Sequence, residues 1–271
     1  MKTHSKLLPA LLLLILVVPQ VGADEPPENG KHVTYYENGQ KAWENHYKNG
    51  KQEGLGTGWY ENGQKQWESH HKDGKREGLW ITWHLNGQKG GEFHWKNGEP
   101  DGLWTEWYEN GQKQQEVQYK DGNWDGLVTS WYTNGQKKAE GHYKNGKPDG
   151  LWTHWDENGK KKQETHYKNG KKNGLVTRWY DKGQEHFTSH SKNGKLVSAS
   201  VWKPDGEPCP ITKIVDGSGV FVQYHENGQK ESAVHFKNGE QDGLETEWDE
   251  DGNKTLEIQY KDGEEISYEE F

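Results

Sequence analysis

Aromatic, β-branched and polar residues alternate along this chain in a block that recurs every 24 residues. One copy spans Gly102–Asp125, where Leu103–Tyr108 alternates between two kinds of side chain, as a two-faced strand does. The Asn-Gly pair at 110–111 predicts a two-residue hairpin turn, since both residues tolerate positive φ. Gln112–Tyr119 is the second predicted strand, and residues 120–122 turn the chain again. Each block therefore predicts two antiparallel strands and two turns.

Turn glycines set the period of the array. Seven are spaced by 24 residues without slippage, and two more resume the spacing after a disturbed stretch. They are Gly39, Gly63, Gly87, Gly111, Gly135, Gly159 and Gly183, followed by Gly228 and Gly252. A fixed period of this length is typical of an array built from one supersecondary unit. We predict an all-β fold, an elongated open antiparallel sheet in meander order, with about ten 24-residue hairpin units.

Four segments follow from where the period begins, breaks and resumes. Residues 1–23 have a positive start, an apolar run and small residues before Asp24, which is the layout of a cleaved signal peptide. The turn glycines 183 and 228 are 45 residues apart, three short of two periods. The predicted organisation is a signal peptide at 1–23, seven units at 24–194, a degenerate unit or bend at 195–218, and two units with an acidic cap at 219–271.

Side-chain alternation sorts the recurring columns onto two faces. One face carries Leu103, Thr105 and Trp107, which the predicted turn pairs with Gln118, Glu116 and Gln114. Its tryptophan column is nearly uniform, so we assign it to the scaffold: Trp59, Trp83, Trp107, Trp131, Trp155, Trp179 and Trp248. The opposite face varies between units, and variation permits recognition. Its predicted binding residues are Tyr60, Trp80, Trp104, Tyr108, Tyr132, Trp152 and Tyr180.

Composition excludes a thick apolar core and favours a thin fold held together by rings. Only 28% of residues are hydrophobic, yet 12% are aromatic, including 15 tryptophans. The formal charge is −9, and loss of the two lysines in residues 1–23 makes it −11. Nucleic-acid binding needs clustered Lys and Arg, so we exclude it. Cys209 is the single cysteine and is either a buried thiol or a site of dimerisation.

The units resemble the MORN-repeat variant family, which includes YwqK-type proteins labelled as antitoxin components. The resemblance is carried by Trp-Tyr-Glu-Asn-Gly-Gln-Lys, as at 107–113, by Tyr-Lys-Asn-Gly-Lys, as at 143–147, and by the Gly-Leu-Trp that opens the next unit. It covers roughly residues 30–263 and is specific through repetition. It implies an elongated antiparallel sheet and a role in protein or membrane association.

Glu-x-His pairs recur on the scaffold face, at Glu44/His46, Glu68/His70, Glu92/His94, Glu140/His142 and Glu164/His166. Stacked at strand spacing, such pairs would form a ladder of metal ligands. A metal site is a local cluster, whereas this pairing recurs along the chain. We therefore favour the alternative that Glu and His bond the backbone or each other across units, and we predict no metal and no cofactor.

No motif for catalysis accompanies the repeats. The chain lacks Gly-x-Ser-x-Gly, His-Glu-x-x-His and a phosphate-binding glycine loop, and its glycines lie at predicted turns. We predict no catalytic residue and no enzyme activity.

The favoured hypothesis is an exported, non-catalytic scaffold that mediates protein–protein or envelope-surface binding. Two alternatives stay open: an antitoxin or immunity-type protein that neutralises a cognate toxin, which the resemblance implies, and a module that binds cell-envelope glycans through aromatic rows. The expected location is periplasmic or extracellular, with no membrane span after cleavage. An uncleaved N-terminal anchor is the alternative to cleavage.

Overall fold

All regular structure in residues 25–271, the range that the computed structural model describes, is β. The predicted signal peptide at 1–23 lies outside the described residues. The 23 strands of this range form one antiparallel sheet in which strands pair in chain order, confirming the predicted open meander. Residues 25–271 contain no helix with the length and apolarity needed to cross a membrane.

The first strands are β1 Gly30–Tyr35, β2 Lys41–Lys48, β3 Lys51–Gln52, β4 Gly54–Trp59, β5 Lys65–Lys72, β6 Lys75–Trp83, β7 Lys89–Lys96 and β8 Glu99–Trp107. The middle strands are β9 Lys113–Lys120, β10 Asn123–Trp131, β11 Lys137–Lys144, β12 Lys147–Pro148, β13 Gly150–Trp155, β14 Lys161–Lys168, β15 Lys171–Trp179 and β16 Glu185–Lys192. The last are β17 Lys195–Val201, β18 Lys213–Val215, β19 Ser218–Tyr224, β20 Lys230–Lys237, β21 Glu240–Trp248, β22 Lys254–Lys261 and β23 Glu264–Glu270.

The two turns of each unit differ in backbone conformation. Asp121 and Gly122 both have positive φ, 47° and 77°, which is the type I′ geometry of two-residue hairpins. In the other turn only Gly111 has positive φ, 81°, and the N–H of Tyr108 donates to the carbonyl of Gln112 at 2.8 Å. The predicted two-residue turn at 110–111 is therefore wrong. The loop is longer, and its glycine forms a bulge.

The longer loop shifts the predicted pairing at its end. Leu103 pairs with Gln118 and Thr105 with Glu116, as predicted. Trp107 pairs with Lys113 and not with Gln114, because the register shifts between residues 106 and 107.

The recurring asparagine of this loop joins one unit to the next. The Oδ1 atom of Asn110 accepts the N–H of Gln112 at 3.0 Å, which fixes the loop. Its Nδ2 atom donates to the carbonyl of Thr133, 23 residues further on, at 2.7 Å. Bonds of the same kind start from Asn38, Asn86, Asn134 and Asn227. Asparagine therefore recurs because one side chain serves both its own loop and the following one.

Glycines within the strands make room for rings on the neighbouring strand. A Cβ at Gly141 would overlap the indole of Trp152, and a Cβ at Gly58 would overlap the indole of Trp67, which pairs directly with it. A glycine in a strand is otherwise unfavourable because it has no side chain to pack. Here the neighbouring tryptophan supplies the missing contact, so the face stays closely packed.

The sheet continues through the disturbed stretch at 195–218. Strands β17 and β18 pair only through Ala199 and Ile214. Across this stretch, the N–H of Asp181 donates to the Glu226 carboxylate at 2.6 Å, so the turns on either side meet. The buried cluster beneath consists of Val201, Cys209, Ile214, Phe221, Val222 and Tyr224. Of the two alternatives for Cys209, the structure supports the buried thiol.

We predict that Gly141→Ala lowers the free energy of unfolding by about 1–3 kcal/mol, because the added methyl group overpacks against Trp152. The measurement is denaturant unfolding followed by circular dichroism. In a Trp152→Ala background the same glycine change should have little effect, since the ring is gone. An equal loss in both backgrounds would show that Gly141 does not accommodate this ring.

Candidate binding surface

A continuous row of rings runs along one face of the sheet from β6 to β13. We call it the aromatic row: Trp80, Phe93, Trp95, Trp104, Tyr119, Trp124, Tyr143 and Trp152. Centroids of neighbouring rings lie between 4.3 Å, for Phe93 and Trp104, and 6.3 Å, for Tyr119 and Trp124. Aromatic pairs at such distances contribute about 0.5–1.5 kcal/mol each beyond their buried area.

Cross-strand pairing explains why these rings meet. Phe93 on β7 pairs with Trp80 on β6 and with Trp104 on β8, so all three project from the same face. Most rings of the row are only half-buried, including Trp80, Trp95 and Trp104. The row therefore packs against itself and still presents ring surface to the solvent.

Three of the predicted binding residues belong to this row: Trp80, Trp104 and Trp152. Trp152 is only 4% exposed and lies over Gly141, so a partner cannot stack on its ring without rearrangement. Binding by the half-exposed Trp80 and Trp104 stays a prediction.

The other four predicted binding residues link consecutive units. The Tyr60 hydroxyl donates to the carbonyl of Trp83 at 2.7 Å, and Tyr108 makes the same bond to Trp131 at 2.8 Å. Tyr132 bonds Trp155, and Tyr180, at 4% exposure, bonds Trp202. In this structure these hydroxyls satisfy backbone carbonyls, a role that alternation along the sequence does not reveal.

The opposite face carries a ladder of charges and rings. Lys113 pairs with Glu116 at 2.6 Å, and its Nζ atom also lies 5.7 Å from the ring centroid of Trp131 in the next unit. The same cation–π contact holds the predicted scaffold residues Trp59, Trp83, Trp107, Trp155 and Trp248. Trp179 is half-buried. Each exposed contact contributes only about 0.5–1 kcal/mol, but the contact is repeated.

Side chains pack on both faces of the sheet, the face assigned to the scaffold and the face assigned to binding. The face assigned to binding contains buried side chains as well, among them Val117, Val128, Trp152 and Val176. The face assigned to the scaffold exposes leucines, including Leu103 at 43% and Leu175 at 50%. Both faces pack because a lone sheet must stabilise each face with its own side chains.

The Glu-x-His pairs have partners close by. Glu92 pairs with Lys89 at 2.5 Å, and His94 Nδ1 lies 2.8 Å from the carbonyl oxygen of Leu103. The same His–carbonyl contact occurs at His46, His166 and His235. Within residues 25–271, no group of three His, Cys, Asp or Glu is placed to hold a metal ion.

One carboxyl group lies among the rings. Glu106 accepts a hydrogen bond from Trp104 Nε1 at 3.3 Å. Burial raises the pKa of Glu106, and the bond from Trp104 opposes that rise without cancelling it. A carboxylate at this position is therefore less stable than one in water.

Sequence reasoning missed five of the eight rings of the aromatic row, Trp124 among them. The columns predicted on the second strand of each unit are those of Glu and His, and they do not include Phe93, Trp95, Tyr119 or Tyr143. The signal was present, because Phe93 and Trp95 are two residues apart and hairpin pairing places them beside Trp80 and Trp104.

Five segments of the chain match the family model described as MORN repeat variant: residues 100–121, 124–145, 148–169, 218–238 and 241–262. The chain carries MORN repeats. Each matched segment contains one hairpin of the sheet, and the same bonds between units extend to hairpins outside these segments, as at Tyr60 and Trp83. MORN repeats generally mediate binding or scaffolding, so the coarse part of the functional hypothesis stands.

Comparisons with whole proteins add little to the MORN assignment. No curated protein matches this chain. Among solved structures, "Crystal Structure of TcdB2-TccC3" matches at 11% identity and a TM-score of 0.20, covering 87% of this chain and 14% of that one. "Crystal Structure of TcdB2-TccC3-Cdc42" matches at 11% identity and a TM-score of 0.21, covering 86% of this chain and 14% of that one. At these TM-scores neither likeness bears on the fold or function of the MORN-repeat chain.

We predict that Glu106→Gln raises the melting temperature at pH 7 by roughly 2–4 °C, the change that about 1 kcal/mol produces in a chain of this size. A raised pKa in the folded state stabilises the protein below the ordinary pKa of 4.5 and loses that effect as pH rises through the folded value. The gain should therefore shrink at pH 4. Thermal melts of Glu106→Gln and of the exposed control Glu109→Gln test this, and equal behaviour of the two would contradict it.

Proposed function

We propose that this protein is an exported, non-catalytic scaffold that binds a protein partner through the aromatic row. The observation that carries the proposal is the continuous row of rings, most of them only half-buried, along one face of a sheet that no second layer covers within residues 25–271. Tryptophan and tyrosine are enriched among the residues that dominate binding energy at protein interfaces.

The size of the row fits a protein surface better than a small ligand. Its rings span the strands from β6 to β13, and neighbouring strands are about 4.8 Å apart, so the row is about 30 Å long. A standard interface buries about 800 Å² on each partner; a strip of this length and one or two ring widths supplies part of that area, and neighbouring side chains on the same face supply the rest.

The repeated bonds between units favour a scaffold over a deformable binder. Tyrosine and asparagine side chains tie successive units together at several places, so the rings keep fixed spacings before a partner arrives. Rigid rings lose little conformational entropy on binding.

We predict that a Trp95→Ala/Trp124→Ala double variant loses binding to protein partners, because it removes two half-exposed rings from the row. The matched control, Leu103→Ala/Leu127→Ala, removes two exposed side chains from the opposite face of the neighbouring strands β8 and β10. The full chain is immobilised, retained envelope proteins are identified by mass spectrometry, and each is retested in purified form by calorimetry. Circular dichroism melts establish that both variants are folded.

Loss of binding in the leucine variant alone would place the partner on the other face and overturn the assignment of the row. Retention of purified wall glycan in place of a protein would favour a glycan-binding module. Retention of a toxin whose activity the chain suppresses would favour an antitoxin.

Export is a separate part of the proposal and rests on the composition of residues 1–23. We expect the mature chain to begin at Asp24, so the intact mass of protein recovered from the periplasm or medium should lack the first 23 residues. Recovery of the uncleaved chain in the membrane fraction would support the N-terminal anchor instead.

A further inference from the structure

Arg76, near the start of β6, lies over two rings of the aromatic row. Its guanidinium carbon is 4.4 Å from the ring centroid of Trp80 and 4.8 Å from that of Trp95. Two indoles hold the planar group in one orientation, and the side chain is exposed at the surface. A cation held in this way keeps its hydrogen-bonding edge available at little entropic cost.

Within residues 25–271, no carboxylate forms an ion pair with Arg76. In this range its side chain makes the two contacts with indole rings and no hydrogen bond. The neighbouring acid, Glu77, instead accepts the backbone N–H of Asn97 at 2.7 Å. By contrast, lysines of the opposite face pair with glutamates in unit after unit. Arg76 is thus one of the unpaired cations of the described residues, in a chain with 43 acidic and 34 basic residues.

The rings beneath Arg76 also lack an acceptor. The Nε1 atoms of Trp80 and Trp95 are both buried, and neither has a hydrogen-bond partner in the described part of the chain. Buried hydrogen-bond donors are nearly always satisfied by protein, water or an ion. Two unsatisfied N–H donors beside an unpaired guanidinium therefore indicate that acceptor oxygens are lacking at this position. Burial is the main cause that lowers the pKa of the adjacent His71, and the charge of Arg76 lowers it further. Arg76 is therefore the group at this position that keeps its positive charge.

We infer that Arg76, on its platform of Trp80 and Trp95, is the subsite for a carboxylate side chain, Asp or Glu, of the protein partner. A carboxylate matches the forked guanidinium edge through two parallel hydrogen bonds. The apolar neighbours of that acid would lie on the adjacent rings. The inference rests on the proposed function and adds the chemistry that the partner must present.

The test uses the full chain and two tripeptide probes that differ only in charge, N-acetyl-Leu-Glu-Leu-amide and N-acetyl-Leu-Gln-Leu-amide. Binding is followed by NMR through the indole N–H resonances of Trp80 and Trp95 at constant ionic strength. We expect the Glu probe to shift both resonances and to bind roughly fivefold more tightly than the Gln probe, as about 1 kcal/mol from one exposed pair implies.

Three variants separate the effect of the guanidinium–carboxylate pair from general effects on probe binding. Arg76→Gln should abolish the preference for the Glu probe, and Arg76→Lys should weaken it, because an ammonium lacks the fork. Lys75→Gln removes the neighbouring exposed cation and should leave the preference unchanged. Equal binding of both probes to the unaltered chain, or loss of the preference in Lys75→Gln alone, would overturn the inference. Tighter binding of inorganic phosphate than of acetate at Trp80 and Trp95 would also overturn it.

The outcome is separable from that of the proposed function. If Trp95→Ala/Trp124→Ala abolishes capture of a partner while Arg76→Gln captures it with unchanged affinity, the aromatic row binds the partner but the carboxylate subsite does not exist. If neither variant alters capture, both proposals fall.

Discussion

The structure depends on contacts between each strand and its neighbours, because the sheet has no second layer within residues 25–271. In most domains a sheet buries one face against another layer. Here each face must gain its stability from its own side chains. Rings on one face pack at tilted or edge-to-face angles and over glycines, while on the other face lysines lie over the tryptophans of the next unit. Because these contacts stabilise each face without a second layer, the chain can fold despite its low hydrophobic content.

The fold was largely predictable because period, alternation and turn residues all indicate the same hairpin. Leu103 and Thr105 have the partners that simple alternation assigns. The loop at 110–111 was not predictable from its Asn-Gly pair, since the same dipeptide serves a two-residue turn and a bulged loop. Which one forms depends on the flanking residues, for example Tyr108 and Gln112, which bond across the wider loop.

The candidate site was less predictable, because it depends on contacts between residues far apart in sequence. A uniform tryptophan column predicts packing and a variable column predicts recognition, yet Trp152 in the variable column is buried against Gly141. The tyrosine hydroxyls bond carbonyls about one unit away, which strand alternation does not encode. Arg76 gave no signal in the sequence, since only the fold places two indoles beneath it.

The asparagine bridges have a consequence for how such a chain can change in length. Five loops of the described residues donate from an asparagine to the loop 23 residues ahead, as with Asn110 and Thr133. Gain or loss of a complete 24-residue unit leaves every remaining bridge with a partner. A change of any other size shifts donors away from their acceptors and requires local repair, as at 195–218, where a separate buried cluster stabilises the shortened interval. The number of units can therefore change without disturbing these bridges, whereas a shift in the phase of the repeat breaks them.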